Sequence, residues 1–421
     1  VSDAPITEIA ALAADVERRL FTPARASGAR RIGAEVEMLP IDLDTHRIAS
    51  IDPDAEVSTL RLLRAHGAAE GWIERVSPYG VSSFGVPGLG VLSFEPGGQL
   101  EYSSAPAPGA TALLEELRRV LLPLRASARE SGIELVFEGM DPWNPLQDAP
   151  LQLFTERYCR MADYFARLGA PGGRMMRQTA SFQVCLDLGD APFARWRLLN
   201  AAAPYVSAAF ANSPFYAGHV TGRPSQRAHT WRNVDASRTG LPYDDGAPVA
   251  AYLEFALCAP DFLHPTPDGD QLPFVGRVGR GLATEVEWRA HLTTLFPEVR
   301  PRGFFEVRSA DAIEPEQWAA PLALLAGIAY DERAADDAGA LLGSPDLACL
   351  RIAADRGLAE PRVAAAARDL FAIALEGCAR LGPDFIAPGD LAEARTFAER
   401  YTARGRSPAD DRIEAALRRA S

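Results

Sequence analysis

Five glutamates, two glutamines and one arginine recur in four short segments whose apolar and polar side chains alternate. In residues 32–38, a period of two sends Ile32, Ala34, Val36 and Met38 one way and Glu35 and Glu37 the other. Residues 94–101 carry Glu95 and Glu101 on either side of Pro96-Gly97-Gly98, a stretch able to bend a strand or bring backbone close to a ligand. Residues 180–186 set Gln183 opposite an apolar face, with Cys185 on the same polar side. Residues 304–308 project Glu306 and Arg308 together. Alternating acids on a single strand are most often a solvated face. Four such segments predict one polar sheet face for metal ions and phosphate, because crowded carboxylates are relieved by a cation and oxygen-only donors suit a hard one such as Mg²⁺.

Other elements must hold these segments in place. Helical spacing runs through Ile6, Ile9, Leu12, Val16 and Leu20, and a Pro/Ala/Ser/Gly connection leads to the first strand. A helix is predicted over 110–131, with Pro123 as a kink point, then a strand over 133–137 and a helix over about 151–168. Gly172-Gly173 reads as a turn delivering Met175, Met176 and Arg177 to the third strand. Residues 191–211 are helical in composition and end at a break over 211–215. Residues 222–241, rich in Arg, His, Trp, Ser, Thr and Gly, read as a long binding loop, and from Glu314 onward the pattern is helical and alanine-rich.

Composition excludes several classes. With 421 residues, 48% of them hydrophobic and 24% charged, the chain is an ordinary globular protein able to bury a large core. A net charge of −13 argues against nucleic acid and anionic membrane as partners. No run reaches the ~18 apolar residues of a membrane span, and Val1-Ser2-Asp3-Ala4-Pro5 lacks a signal-peptide pattern, so the cytoplasm is the expected location. Five scattered cysteines without a C-x-x-C pair point to reduced thiols, not to a disulfide frame or a zinc site. There is no lysine: all 43 basic residues are arginine. A P-loop, a Schiff base and a pyridoxal enzyme are thereby excluded, and phosphate must be held by arginine forks, backbone amides and metal.

Longer blocks carry a resemblance. Gly33-Ala34-Glu35-Val36-Glu37, Glu95-Pro96-Gly97-Gly98-Gln99-Leu100-Glu101, Ala211-Asn212-Ser213-Pro214-Phe215, Arg227-Ala228-His229-Thr230-Trp231 with Arg238-Thr239-Gly240, and the stretch from His291 to Arg300 preceding Glu306-Val307-Arg308 resemble the plant- and bacterial-type glutamate-cysteine ligases, in order from about residue 31 to 331. That family includes the enzyme that opens ergothioneine synthesis in actinobacteria. The resemblance implies an α+β, glutamine-synthetase-like fold: a curved, mainly antiparallel sheet with helices outside, a catalytic domain over 1–331 and a helical region over 332–421 packed on it. It also implies an activity. ATP phosphorylates the side-chain carboxylate of L-glutamate, and the amine of L-cysteine attacks the γ-glutamyl phosphate.

By position the resemblance assigns Glu35, Glu37, Glu95, Glu101, Glu306 and Gln183 to about two or three Mg²⁺ ions, Mn²⁺ being an alternative. Glu306 and Arg308 are the catalytic pair, with Arg308 on the transferring phosphoryl group. Arg227 and Arg238 are expected on the glutamate carboxylates or on phosphate, with Trp231 and Arg177 also binding substrate. Arg300, Arg302 and Gln99 are expected on the nucleotide. Two departures bear on substrate detail: Arg232 stands where plant relatives have a smaller polar residue, and Val36-Glu37-Met38-Leu39-Pro40 replaces their His-Glu-Lys pattern. No residues match a cysteine pocket. Another amine acceptor, or a ligand-binding scaffold without turnover, therefore stays open at this level.

Overall fold

A computed structural model of the chain describes residues 6, 8–23, 30–266 and 268–420. The expectations for residues 1–5 and for most of the connection before the first strand lie outside them. The first helix, α1 (Ile9–Leu20), buries Leu12, Val16 and Leu20, as the spacing predicts.

The four polar segments meet in one nine-stranded sheet. Its strands are β1 (Ile32–Asp42), β2 (Ile73–Val76), β3 (Ser82–Gly85), β4 (Val91–Phe94), β5 (Leu100–Ser103), β6 (Ile133–Val136), β7 (Ser181–Leu186) and, late in the chain, β12 (Val299–Pro301) and β13 (Phe305–Asp311). Two minor pairs lie between: the hairpin of β8 (Phe215–Tyr216) and β9 (His219–Val220), and the parallel pair of β10 (Thr239–Gly240) and β11 (Phe296–Pro297). The main path is β12-β13-β7-β1-β5-β4-β3-β2, with β6 pairing the far half of β1, and every pair in it is antiparallel.

Register then decides what meets. Directly opposed residues in a ladder leave the same face. Glu35 is opposite Gln183, Glu37 opposite Glu101, and Cys185 lies between Gly33 and Glu306. Arg300 is opposite Glu306. The register shifts between Val307 and Ala310, so Arg308 sits at an irregularity of the kind that re-aims a side chain.

The opposite face is apolar. Val36, Phe182 and Val184 have no exposed surface, and Val307 has almost none. The helices before this layer are α2 (Thr59–Glu70), α3 (Ala110–Glu130), α4 (Glu156–Leu168), α5 (Ala170–Gln178), α6 (Pro192–Ala209), α7 (Gln226–Arg232), α8 (Pro248–Cys258), α9 (Phe274–Gly279) and α10 (Glu285–Leu292). After β13 come α11 (Ala319–Tyr330), α12 (Glu332–Leu342), α13 (Leu347–Arg356), α14 (Pro361–Leu381), α15 (Pro388–Arg400) and α16 (Pro408–Ala420). α3 and α6 contact the sheet, and α11, buried along its whole length, lies between β7 and the pair α14 and α15. A helix apolar all round requires such a position. α16 is tied in through Arg412, which binds Glu138, Asn212 and Glu314. No helix among the described residues is long and apolar enough to cross a membrane.

Three local expectations are corrected. The 94–101 segment is two strands joined by a tight turn, not one bent strand. Gly172 and Gly173 lie inside α5, where Pro171 stands in the first turn and a Cβ on Gly172 would come within 2.4 Å of Phe165. These glycines serve close helix packing. The polar stretch 222–241 contains α7, started by Ser225 accepting from the Ala228 amide.

Candidate active site

The turn between β4 and β5 sets the position of two acids. Gly98 donates to the Glu95 carbonyl at 2.9 Å and Glu95 donates to the Gln99 carbonyl at 2.8 Å. Pro96 supplies the fixed φ that such a turn wants after its first residue, and Gly98 the positive φ of 92° that closes it. Gly97 must be glycine for another reason: a Cβ there would lie 2.4 Å from the Arg177 carbonyl. The Gln99 amide accepts from Gly97 and donates to the Thr179 carbonyl at 3.1 Å. Its polar atoms brace the turn against the chain entering β7, and the residue also lines the cavity beside Glu95 and Glu101.

Glu35, Glu37, Glu95 and Glu101 line one cavity of about 510 Å³. Glu37 accepts from the Ser181 amide at 2.7 Å and from Gln183 Nε2 at 3.1 Å. Burial, with the charge of Glu306 adding to it, raises the Glu35 carboxyl to about 7. Burial and the charges of Glu37 and Glu35 raise Glu95 to about 8. Glu101 is likewise pushed well up, by burial and then by Glu95, Glu35 and Glu37. Such a wall is short of positive charge, which is what a hard cation supplies.

Arginines line the same cavity next to these acids, Arg302 coming within 4.0 Å of Glu35. Glu306 is fully buried and bound by three of them: Arg300 at 2.7 Å, Arg302 at 2.9 Å and Arg308. Burial opposes its charge, but these guanidiniums outweigh that and hold its carboxyl well below the usual range. Arg308 also donates to Gln183 Oε1 at 2.7 Å and lies over the rings of Trp231 and Phe296, at 5.4 and 5.9 Å. Trp231 walls the cavity under this arginine, and its buried indole N–H has no partner among the described residues.

The structure brings Glu35, Glu37, Glu95, Gln99, Glu101, Gln183, Trp231, Arg300, Arg302 and Arg308 to the cavity. Glu306 stands behind the arginines, with both oxygens engaged. Arg227, 3% exposed, approaches Asp311 at 3.6 Å, donates to the Arg308 carbonyl and lines a small adjoining void. Arg238 is a correction. It has no exposed surface, binds Asp235 at 2.8 Å plus Thr294 and the Pro260 carbonyl, and lies beside the stacked rings of Tyr164 and Phe262, 4.8 Å from each. All its hydrogen-bonding directions serve the core. Arg177 is also displaced, opening on a separate 440 Å³ groove lined by α4 and α5.

Sequence reasoning missed Arg157, Tyr158, Met161 and Thr293, which line the same cavity from α4 and the end of α10. As for metal, among the described residues no three His, Cys, Asp or Glu side chains converge into a ready-made cluster. The fit rests instead on the donor chemistry. Four carboxylates on one wall, three of them raised by crowding and burial, match a hard cation held through oxygen.

The structure superposes over 94% of its length on 86% of the glutamate-cysteine ligase GshA from Francisella tularensis, solved in complex with AMP, with a TM-score of 0.53 at 13% identity. The fold is α+β and glutamine-synthetase-like. Residues 31–418 match the model of glutamate-cysteine ligase family 2 (GCS2), and the chain belongs to that family. It is an enzyme of the ligase class. Among its relatives, glutamate-cysteine ligase EgtA of Mycobacterium tuberculosis is 35% identical over 77% of this chain and 77% of its own length. The chloroplastic glutamate-cysteine ligase of Brassica juncea is 32% identical over 79% of this chain and 68% of its own.

Proposed function

We propose that this enzyme joins the γ-carboxylate of L-glutamate to the amine of L-cysteine at the expense of ATP. The observation that carries the proposal is one cavity lined by the carboxylates of Glu35, Glu37, Glu95 and Glu101 together with the guanidiniums of Arg300, Arg302 and Arg308. The relatives' names supply the substrates. In the first step a γ-carboxylate oxygen attacks the terminal phosphorus of ATP, and ADP leaves with the electrons of the broken P–O bond. In the second the amine nitrogen attacks the acyl carbon, inorganic phosphate leaves and the nitrogen gives up a proton. A carboxylate is a poor acyl donor until phosphorylated.

The chain's own residues divide this work. Arg300 and Arg302 hold nucleotide phosphates. Arg308, re-aimed by the irregularity in β13, meets the transferring phosphoryl group, and a planar fork suits its equatorial oxygens. Glu306 holds all three guanidiniums at fixed positions, so the site is positively preorganised before substrate arrives. Glu35, Glu37, Glu95 and Glu101 would hold Mg²⁺, which when bound screens the phosphate charges. The reaction belongs in the cytoplasm, where both amino acids and ATP are present.

The test is ADP release from ATP and Mg²⁺ with L-glutamate, comparing L-cysteine with a panel of other amines and identifying the product by mass. Cysteine-dependent ADP with γ-glutamylcysteine is expected. Faster turnover with another amine moves the acceptor but keeps the chemistry, and silence with every amine removes the proposal.

A further inference from the structure

The irregularity in β13 that re-aims Arg308 is held from outside the strand, chiefly by α7 and by the residue before β12. Ser225, which starts α7, donates to Asp311 at 2.9 Å, on the far side of the irregularity. Arg227, in the first turn, donates to the Arg308 carbonyl at 2.8 Å. Arg232, the last residue of α7, pairs with Glu298, and the two side chains are only 7% and 9% exposed. Glu298 accepts from the Ser309 hydroxyl at 2.5 Å through its other carboxylate oxygen, and from the Arg308 amide at 3.0 Å through its carbonyl. Ser207 of α6 donates to the Ser309 carbonyl at 3.1 Å. Both backbone polar groups of Arg308 are thereby bound, one to Glu298 and one to Arg227.

An ion pair so deeply buried adds little to stability, because desolvation cancels most of its attraction and apolar side chains of similar volume do as well. What it fixes is direction, since a planar guanidinium and a two-oxygen carboxylate admit few arrangements. We infer that Arg232 is a positioning residue for the reaction: acting through Glu298 and Ser309, it holds the irregular segment of β13 so that the Arg308 guanidinium stays aimed into the cavity. This rests on the proposed phosphoryl transfer and names what keeps its arginine in place. Arg308 lines the cavity, whereas Arg232, Glu298 and Ser309 do not, so any effect they have on turnover is indirect. The side-chain partners of Arg308, Glu306 and Gln183, are themselves residues of the site. Its backbone anchor is therefore the part of its position that does not depend on what the cavity holds.

The experiment follows ADP formation from labelled ATP in wild type, Arg232→Gln, Arg232→Lys and Ser309→Ala, and repeats Arg232→Gln in an Arg308→Lys background. For Arg232→Gln, kcat should fall about ten- to a hundredfold, the loss that a misplacement of about 1 Å produces, while the KM values for ATP and L-glutamate stay within about twofold. Arg232→Lys should recover part of that loss. Ser309→Ala strands no charge and leaves the ion pair whole, so it serves even where Arg232→Gln does not fold; its kcat should fall about three- to tenfold, again without a change in KM. With Arg308 already replaced, Arg232→Gln should cost no more than about threefold further, because its effect passes through that residue. The same loss with and without Arg308, or an unchanged kcat in Ser309→Ala, would overturn the assignment while leaving the reaction intact. A wild-type enzyme that forms no ADP would remove the reaction and this assignment together.

Discussion

At neutral pH the carboxyls of Glu35 and Glu95 retain protons that an exposed glutamate has shed, because burial and neighbouring charge raise them to about 7 and about 8. The consequence for stability has a definite sign. Their folded-state values lie above the ordinary 4.5, so between 4.5 and 8 the folded protein binds protons that the unfolded chain does not. Metal-free protein should therefore lose stability as pH rises through that window, and its melting temperature in EDTA should be lower at pH 8.5 than at pH 6. Mg²⁺ should narrow the gap and, at pH 7, bind with release of protons, visible calorimetrically in buffers of different ionisation heat. A melting temperature that rises with pH in EDTA, and Mg²⁺ binding without proton release, would contradict a cation site on this wall. The acids themselves could be read from alternation alone. What the sequence did not disclose is their inequality: Glu306 alternates just like Glu35, yet lies under three arginines contributed by β12, β13 and the turn between them.

Elements, more than residues, convert spacing into a site. The turn after β4 holds Glu95 and Glu101 against β1, and Gly97 allows it to lie on the Arg177 carbonyl at the end of α5. Gly97→Ala should force these chains apart, costing about 1–3 kcal/mol in urea unfolding and raising the Mg²⁺ concentration needed for half-maximal ADP formation. An alanine variant of unchanged stability and unchanged Mg²⁺ demand would show that the turn has room to shift. Legibility differs by element for a physical reason. β1, β7 and β13 show their period of two because one face is core and the other polar. Gly172-Gly173 looked like a turn because glycine opposes helix, yet the space beside Phe165 requires it within one. Arg238 looked like a ligand-binding loop residue because sequence carries no sign that Tyr164 of α4 and Phe262, beyond the end of α8, meet against it.

Taken as a whole, the chain is a sheet whose two faces are given to different tasks, with the C-terminal helices holding the apolar one. Residues beyond 331 do more than decorate it: Arg412 of α16 reaches Glu138 and Glu314, and burial already pushes the Glu138 carboxyl up to about 7. Arg412→Ala should cost about 2–4 kcal/mol, because it strands a buried acid. ADP formation at low temperature should nonetheless survive, since Arg412 does not line the cavity. Unfolding unchanged within about 0.5 kcal/mol would mean that α16 contributes little to the fold. The helical character of this region was legible from its alanine-rich periodicity, while its ties to residues 138, 212 and 314 were not, being contacts between remote parts of the chain. The central claim is that the acids and the arginines of the cavity together serve phosphorylation of a carboxylate, and its most direct test is turnover of L-glutamate labelled with ¹⁸O in the γ-carboxylate. Passage through the acyl phosphate transfers one labelled oxygen to each inorganic phosphate released. Phosphate carrying no label, alongside normal ADP formation, would contradict the account.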